Sequence, residues 1–278
     1  MASLQELRKR LRSIQSTGQL AGAMRTAATA KYARISRVRE DFDPYARACR
    51  DMLRLLGSDG LARQTNVVRE RDAVLVLGGN RGLCGGFNAE LFRYLDEDLS
   101  ARQEPLLLAA GKKAAAHLRE RGLEFEEFPL SDVPSYEEVK RLSDRLRSLY
   151  VTGEVRRVVA VYQSFKNMLT QIPASAQLLP ETGADDGKES GAFTPLYLPD
   201  RETIGAQLAV SCFDAGLFDL AVENAAGAQA ATIMAMRSAC DNAEASAADL
   251  EITINRRRQA EVTSSVIETA SGSIQQGD

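Results

Sequence analysis

All eight prolines of this chain, Pro44, Pro105, Pro129, Pro134, Pro173, Pro180, Pro195 and Pro199, fall between positions 44 and 199. Both ends are therefore free of the residue that most strongly interrupts a helix, and each can run as a long one. Near the N-terminus Leu4, Leu7, Leu11, Ile14, Gly18 and Ala21 recur at alternating steps of three and four, the spacing of a coiled-coil seam. Ala28, Tyr32, Ile35 and Phe42 continue in the same phase. From Ile204 to about Ser271 there is no proline and little glycine, while Ala, Met, Leu, Ile, Arg and Glu dominate. That stretch predicts a second helix, far longer than the usual length of about 11 to 12 residues. Two such helices at opposite ends of one chain can hide their apolar stripes by winding on each other antiparallel. Gly18, Ala21, Ala28, Ala231, Ala239 and Ala243 are small, so the axes can approach closely and the pair should be slender.

Between these ends the rhythm changes. DAVLVLGG (72–79), EPLLLAAG (104–111) and VRRVVAVYQSF (155–165) are short apolar runs separated by helical stretches such as FNAELFRYLDEDL and SYEEVKRLSDRLRSLY. Strands alternating with helices predict a small Rossmann-like α/β domain with a largely parallel sheet. The polar, acidic run ETGADDGKESG (181–191) reads as a loop. The expected division is an N-terminal coiled-coil helix over 1–57, an α/β globular domain over 70–195 and a C-terminal coiled-coil helix over 204–272.

With 26% charged and 44% apolar residues and a formal charge of -3, the chain has the composition of a folded protein. No continuous apolar run approaches the roughly 20 residues of a membrane span, and MASLQELRKRLRSIQ alternates apolar and basic residues in place of a signal core, so a cytoplasmic protein is expected. Cys49, Cys84, Cys212 and Cys240 are scattered, which predicts reduced thiols and neither a zinc site nor a disulfide framework. The single histidine, His117, excludes histidine-rich metal sites and reads as an ordinary surface helix residue.

The string Gly78-Gly79-Asn80-Arg81-Gly82-Leu83-Cys84-Gly85-Gly86-Phe87-Asn88 follows a strand and precedes a helix, the setting in which backbone amides can cradle a phosphate. It lacks the GxxxxGK[ST] order, and Cys84 has no neighbouring histidine, so a structural strand-to-helix turn is the better reading. Up to Arg39 the N-terminal segment carries Arg8, Lys9, Arg10, Arg12, Arg25, Lys31, Arg34, Arg37 and Arg39 against Glu6 alone. Such a helix suits an acidic partner or is simply a solvated face; no nucleic-acid module accompanies it.

At the termini the strings become specific. IQSTGQLAGAMRTAATAK (14–31) and CDNAEASAADLEITINRRRQ (240–259) resemble the gamma subunit of F-type ATP synthases. Thr17, Ala23, Met24, Arg25 and Lys31 fit the family pattern at the start; Ala235, Met236, Asp241, Asn242, Ala243, Asn255, Arg256, Arg258 and Gln259 fit it near the end. RGLCGGFN (81–88) looks like the family's signature turn, and 162–180 resembles its strand ending in Leu-Leu-Pro. Departures are Gly79-Asn80 for the family's Ser-Asp, Gly227-Ala228 for Ser-Glu, Thr232 for Arg, and SGSIQQGD for an alanine-rich terminus.

The resemblance implies a non-catalytic rotor shaft that couples ion-driven rotation of the membrane c-ring to the catalytic alpha/beta hexamer. It implies alpha, beta, epsilon and c-ring subunits as partners, no cofactor or metal of the chain's own, and a peripheral position at the cytoplasmic face of the cell membrane. It also implies that Met24 and Arg25 on one helix and Asn255, Arg258 and Gln259 on the other form one contact patch toward the hexamer. Two rival readings stay open on the residues alone: a nucleotide-binding enzyme built on the glycine turn, and a free-standing coiled-coil scaffold.

Overall fold

A computed structural model of the chain describes residues 3–56, 70–180, 198 and 200–275. The expected loop at 181–191 lies outside the described residues. In order, the elements are α1 (Leu4–Leu56), β1 (Asp72–Leu77), α2 (Phe87–Ser100), β2 (Leu106–Ala110), α3 (Lys112–Glu120), β3 (Phe125–Phe128), α4 (Tyr136–Val151), β4 (Arg157–Phe165), β5 (Gln171–Leu179) and α5 (Arg201–Gln275). The chain divides into two compact units, Met1–Ala27 with Ala235–Asp278, and Ala28–Met234.

The larger unit is built on a five-stranded sheet in the order β3-β2-β1-β4-β5. Strands β3, β2, β1 and β4 are parallel and β5 returns antiparallel to β4. All six residues of β1 are buried because both faces are covered, which is why DAVLVL reads as a continuous apolar run. The period of two nevertheless sorts its side chains. Ala73, Leu75 and Leu77 face a core shared with Leu142, Leu146 and Leu149 of α4, Ile35 of α1, and Phe213, Leu217 and Phe218 of α5. Val74 and Val76 face Leu91 and Leu95 of α2 and Ala114, Ala115 and Leu118 of α3.

Local chemistry sets the helix starts. Ser135 accepts from Glu138 N while Glu138 accepts from Ser135 N, a capping box that opens α4. Asp200 accepts from Thr203 N at 2.8 Å and opens α5. Buried Asp214 of α5 accepts from Ser143 and Lys140 of α4, so the two helices share a polar tie as well as an apolar contact.

Pro44 lies inside α1, within the helix expected over 1–57. Both Pro44 and Glu40, whose carbonyl loses its partner there, are exposed, so water can satisfy the freed oxygen. Although no uninterrupted apolar run is of span length, an 18-residue stretch of α5 reaches a mean hydropathy of 1.3; half of it is buried inside the protein, as for a core helix. His117 is not a plain surface residue, since its ring stacks on Phe92 at 4.4 Å and its Nε2 meets Asp96 Oδ1 at 3.0 Å.

Candidate partner-contact surface

In the smaller unit the predicted seam is visible residue by residue. Leu4, Leu7, Leu11, Ile14 and Gly18 are half-buried and Ala21 is buried, while every residue between them is exposed. On α5 Met236, Cys240 and Ile254 are buried, Ala243, Ala247, Leu250 and Arg257 are half-buried, and all other residues from Asp241 to Arg256 are exposed. Positions on both helices thus repeat at three and four, the period of two helices wound together.

Small residues set the register. A Cβ at Gly18 would stand 3.1 Å from Ala243 Cβ, and one at Gly22 would stand 4.0 Å from Cys240 Sγ, so α1 and α5 run antiparallel here. Met24, Ala235 and Ala239 pack against Ala21, Met236 and Cys240. Carried along the pair, this register sets Ile14 toward Ala247, Leu7 toward Ile254, and Leu4, where α1 begins, toward Arg257.

The predicted contact patch therefore divides. Met24, half-buried, and Arg25, exposed, lie at the level of Met236. Asn255, Arg258 and Gln259 are all exposed and lie past Ala243 in the other direction. With about 1.5 Å of rise per residue, Met24 and Asn255 are about 27 Å apart along the axis. The structure brings Met24 and Arg25 together, and Asn255, Arg258 and Gln259 together, but not the two groups. The expectation of one patch came from family positions alone; only the register could set the distance. Arg258 and Gln259 sit beyond the start of α1, where α5 also exposes Val262, Val266 and Ile267, each about 60% accessible.

The glycine turn of the larger unit proves to be occupied by its own chain. Gly79 N donates to Asn88 Oδ1 at 3.0 Å, Lys113 N to Gly79 O at 3.0 Å, and Lys112 N to Asn80 Oδ1 at 3.1 Å. The Gly79 amide is thus committed within the turn, and two amides at the start of α3 are committed to Gly79 and Asn80. At the carboxyl end of β4, where the strand order reverses beside β1 and nucleotides bind in sheets of this type, α5 is seated instead. Gln163 N donates to Asn224 Oδ1 at 3.1 Å and Phe165 N to Glu223 Oε1 at 2.8 Å. Gly227 lies against the same corner, its missing Cβ 3.2 Å from the Phe87 ring. Burial pushes the Cys84 thiol up, against the opposing hydrogen bonds from Asn88, so it is not poised as a nucleophile.

Asn80, in place of the family's Asp, is well used. Its Nδ2 donates to Leu130 O at 2.8 Å and Asp132 Oδ1 at 3.2 Å. Asp132 also accepts from Lys31 and lies 3.4 Å from Arg81 Nε. Burial raises the Asp132 carboxyl, but hydrogen bonds from Lys31 and Asn80 and the charges of Lys31 and Arg81 outweigh it and hold the group below its ordinary value. Lys31 was legible as the end of a motif; Asp132 sits in no motif, and nothing in the sequence joins positions 31, 80 and 132.

A profile of the family described as ATP synthase matches residues 3–274, nearly the whole chain. The chain belongs to the ATP synthase gamma chain family. A gamma chain of Desulforamulus reducens is 30% identical over 278 residues, covering 98% of each protein. One from Rubrobacter xylanophilus is 31% identical over 287 residues, again with 98% of each covered. The fold is shared with a chain of the Euglena gracilis mitochondrial ATP synthase OSCP/F1/c-ring structure in rotational state 3, at a TM-score of 0.70 and 18% identity, covering 98% of this chain and 94% of that one. As a gamma chain it is the central shaft of an F-type ATP synthase, a non-catalytic subunit of a membrane-associated complex.

Proposed function

We propose that this shaft stands with its two-helix unit inside a hexamer of alternating alpha and beta subunits, while its α/β domain meets the epsilon subunit and the c-ring at the cytoplasmic face of the membrane. Residues 1–57 and 204–272 form the shaft helices and 70–195 the α/β domain. One asymmetric rod touches three equivalent catalytic subunits differently, so each rotational position biases each site toward its own conformation and affinity. The observation that carries this reading is the end of α5. Among the described residues no part of α1 lies beside the helix beyond Arg257, and Val262, Val266 and Ile267 are exposed there. Exposed apolar groups repeated along a helix call for a covering surface, and the bore of a hexamer supplies one.

Contact toward that bore is made at two levels, by Met24 and Arg25 and by Asn255, Arg258 and Gln259. Exposed polar pairs are worth little each, which suits a surface that must release its contacts at every step.

Co-expression with alpha and beta subunits tests the reading. The expected result is a complex that co-purifies and, with its membrane sector, pumps ions on adding ATP. A purified chain that forms a stable homo-oligomer and ignores alpha and beta would overturn it.

A further inference from the structure

We propose that Lys31, acting through Asp132, is the positioning contact that fixes the rotational setting of α1 against the α/β sheet and so passes torque into the shaft; the proposal rests on the shaft reading above. Lys31 lies four residues past Ala27, where α1 enters the larger unit. Its ammonium donates to Asp132 in the loop between β3 and α4. Both side chains are mostly shielded, with 29% and 19% of their surface accessible.

The same carboxylate accepts from Asn80, which receives Lys112 N at the start of α3 and donates to Leu130 O. One anion thus joins α1 to the turn after β1, to the loop before α4 and, through Asn80, to α3. Beside it lies a cavity of about 30 Å³ lined by Asn80, Asp132, Asn224 and Gln229 among others. Leu77, Leu130 and Ala225 share that lining, so polar and apolar groups meet at this corner.

Direction is what separates this contact from its neighbours. Tyr32 meets Phe165 with ring centroids 6.1 Å apart and Ile35 is fully buried, but such contacts tolerate a small rotation of the helix about its axis. A charge-assisted hydrogen bond weakens steeply when its angle opens. Arg39 also ties α1, at 3.4 Å from Asp219 and 3.8 Å from Glu223, yet both partners are on α5. Asp219 belongs to α5, and Glu223 reaches the sheet through its own bonds from Ser164 Oγ and Phe165 N, so Arg39 ties α1 to the sheet at second hand, whereas the Lys31 tie runs to the domain directly.

The test uses the reconstituted synthase, with ion pumping measured per ATP hydrolysed. Lys31→Met leaves Asp132 with Asn80 and Arg81 as partners, so no lone charge is buried. We expect the ratio to fall at least about threefold in Lys31→Met and in Asp132→Asn, with no further fall in the double variant and recovery in Lys31→Arg. Arg39→Met should keep the parental ratio. A parental ratio in Lys31→Met, or equal losses in Lys31→Met and Arg39→Met, overturns the inference. A parental complex that neither assembles nor pumps overturns the shaft reading, and this inference with it.

Discussion

The thiol of Cys240 donates a hydrogen bond to the main-chain oxygen of Gly18 across the two-helix unit, at 3.6 Å. This contact is possible because Gly18 has no side chain to hold the helices apart. Replacing Gly18 by Leu should destabilise the pair by about 1 to 3 kcal/mol, since several carbons would enter a space where even a Cβ stands 3.1 Å from Ala243 Cβ. Gly18→Ala should cost less. The midpoint of urea unfolding, followed by helical circular dichroism, measures both; equal midpoints for Gly18→Leu and the parent would contradict the close approach.

Asp72 predicts an acid limb in the stability curve. Burial pushes its carboxyl up, but hydrogen bonds and charge from Arg157 and Arg156 prevail and lower it from 3.8 to about 2. Arg102 adds a contact at 2.7 Å. A depressed carboxyl contributes stability that is full above its unfolded value and is lost as pH falls through its folded one. The chain should therefore lose about 2 kcal/mol between pH of about 4 and about 2. Asp72→Asn should lower stability at neutral pH and flatten this limb, because three arginines then converge on an uncharged group. Denaturant titrations across that pH range decide it.

The two contact levels should act independently. Replacing Arg258 and Gln259 by Ala should lower ion-driven ATP synthesis while nucleotide binding to the beta subunits persists, because no catalytic group is removed. Adding Met24→Ala should then lower it further by its own separate factor, since sites more than about 10 Å apart usually add within about 0.5 kcal/mol. Strong non-additivity would mean that both levels serve one contact.

All four cysteines are free and buried. ATP hydrolysis by the complex should be indifferent to mild reductant. A large, reversible change on adding dithiothreitol, traced by mass spectrometry to a disulfide within this chain, would contradict that expectation.

How much could be read in advance varied with the range of the interaction. The seam from Leu4 to Ala21 was legible because a helix repeats its faces every three and four residues whatever it packs against. The continuous run in β1 announced a strand covered on both sides. Strand β3, Phe125-Glu126-Glu127-Phe128, carries only a weak signal, and it is an edge strand of four residues. Strand β5 holds Pro173, a residue tolerated in a sheet chiefly at an edge, and the sequence showed it only through the family's Leu-Leu-Pro ending.

By itself, then, the sequence determined which residues face inward on each helix and strand, the α/β order of the middle, and the family. Those properties depend on local periodicity and on strings of neighbouring residues. Tertiary structure decided the register of α1 on α5, and with it the division of the expected contact patch. Sliding one heptad seam along another by seven residues keeps every apolar position facing inward, so periodicity cannot choose among registers; the fit of Gly18 against Ala243 does. Tertiary structure also joined Lys31, Asn80 and Asp132. A charged group finds its partner by position in space, and the positions of these three are set by a sheet whose strands order themselves only when the core closes.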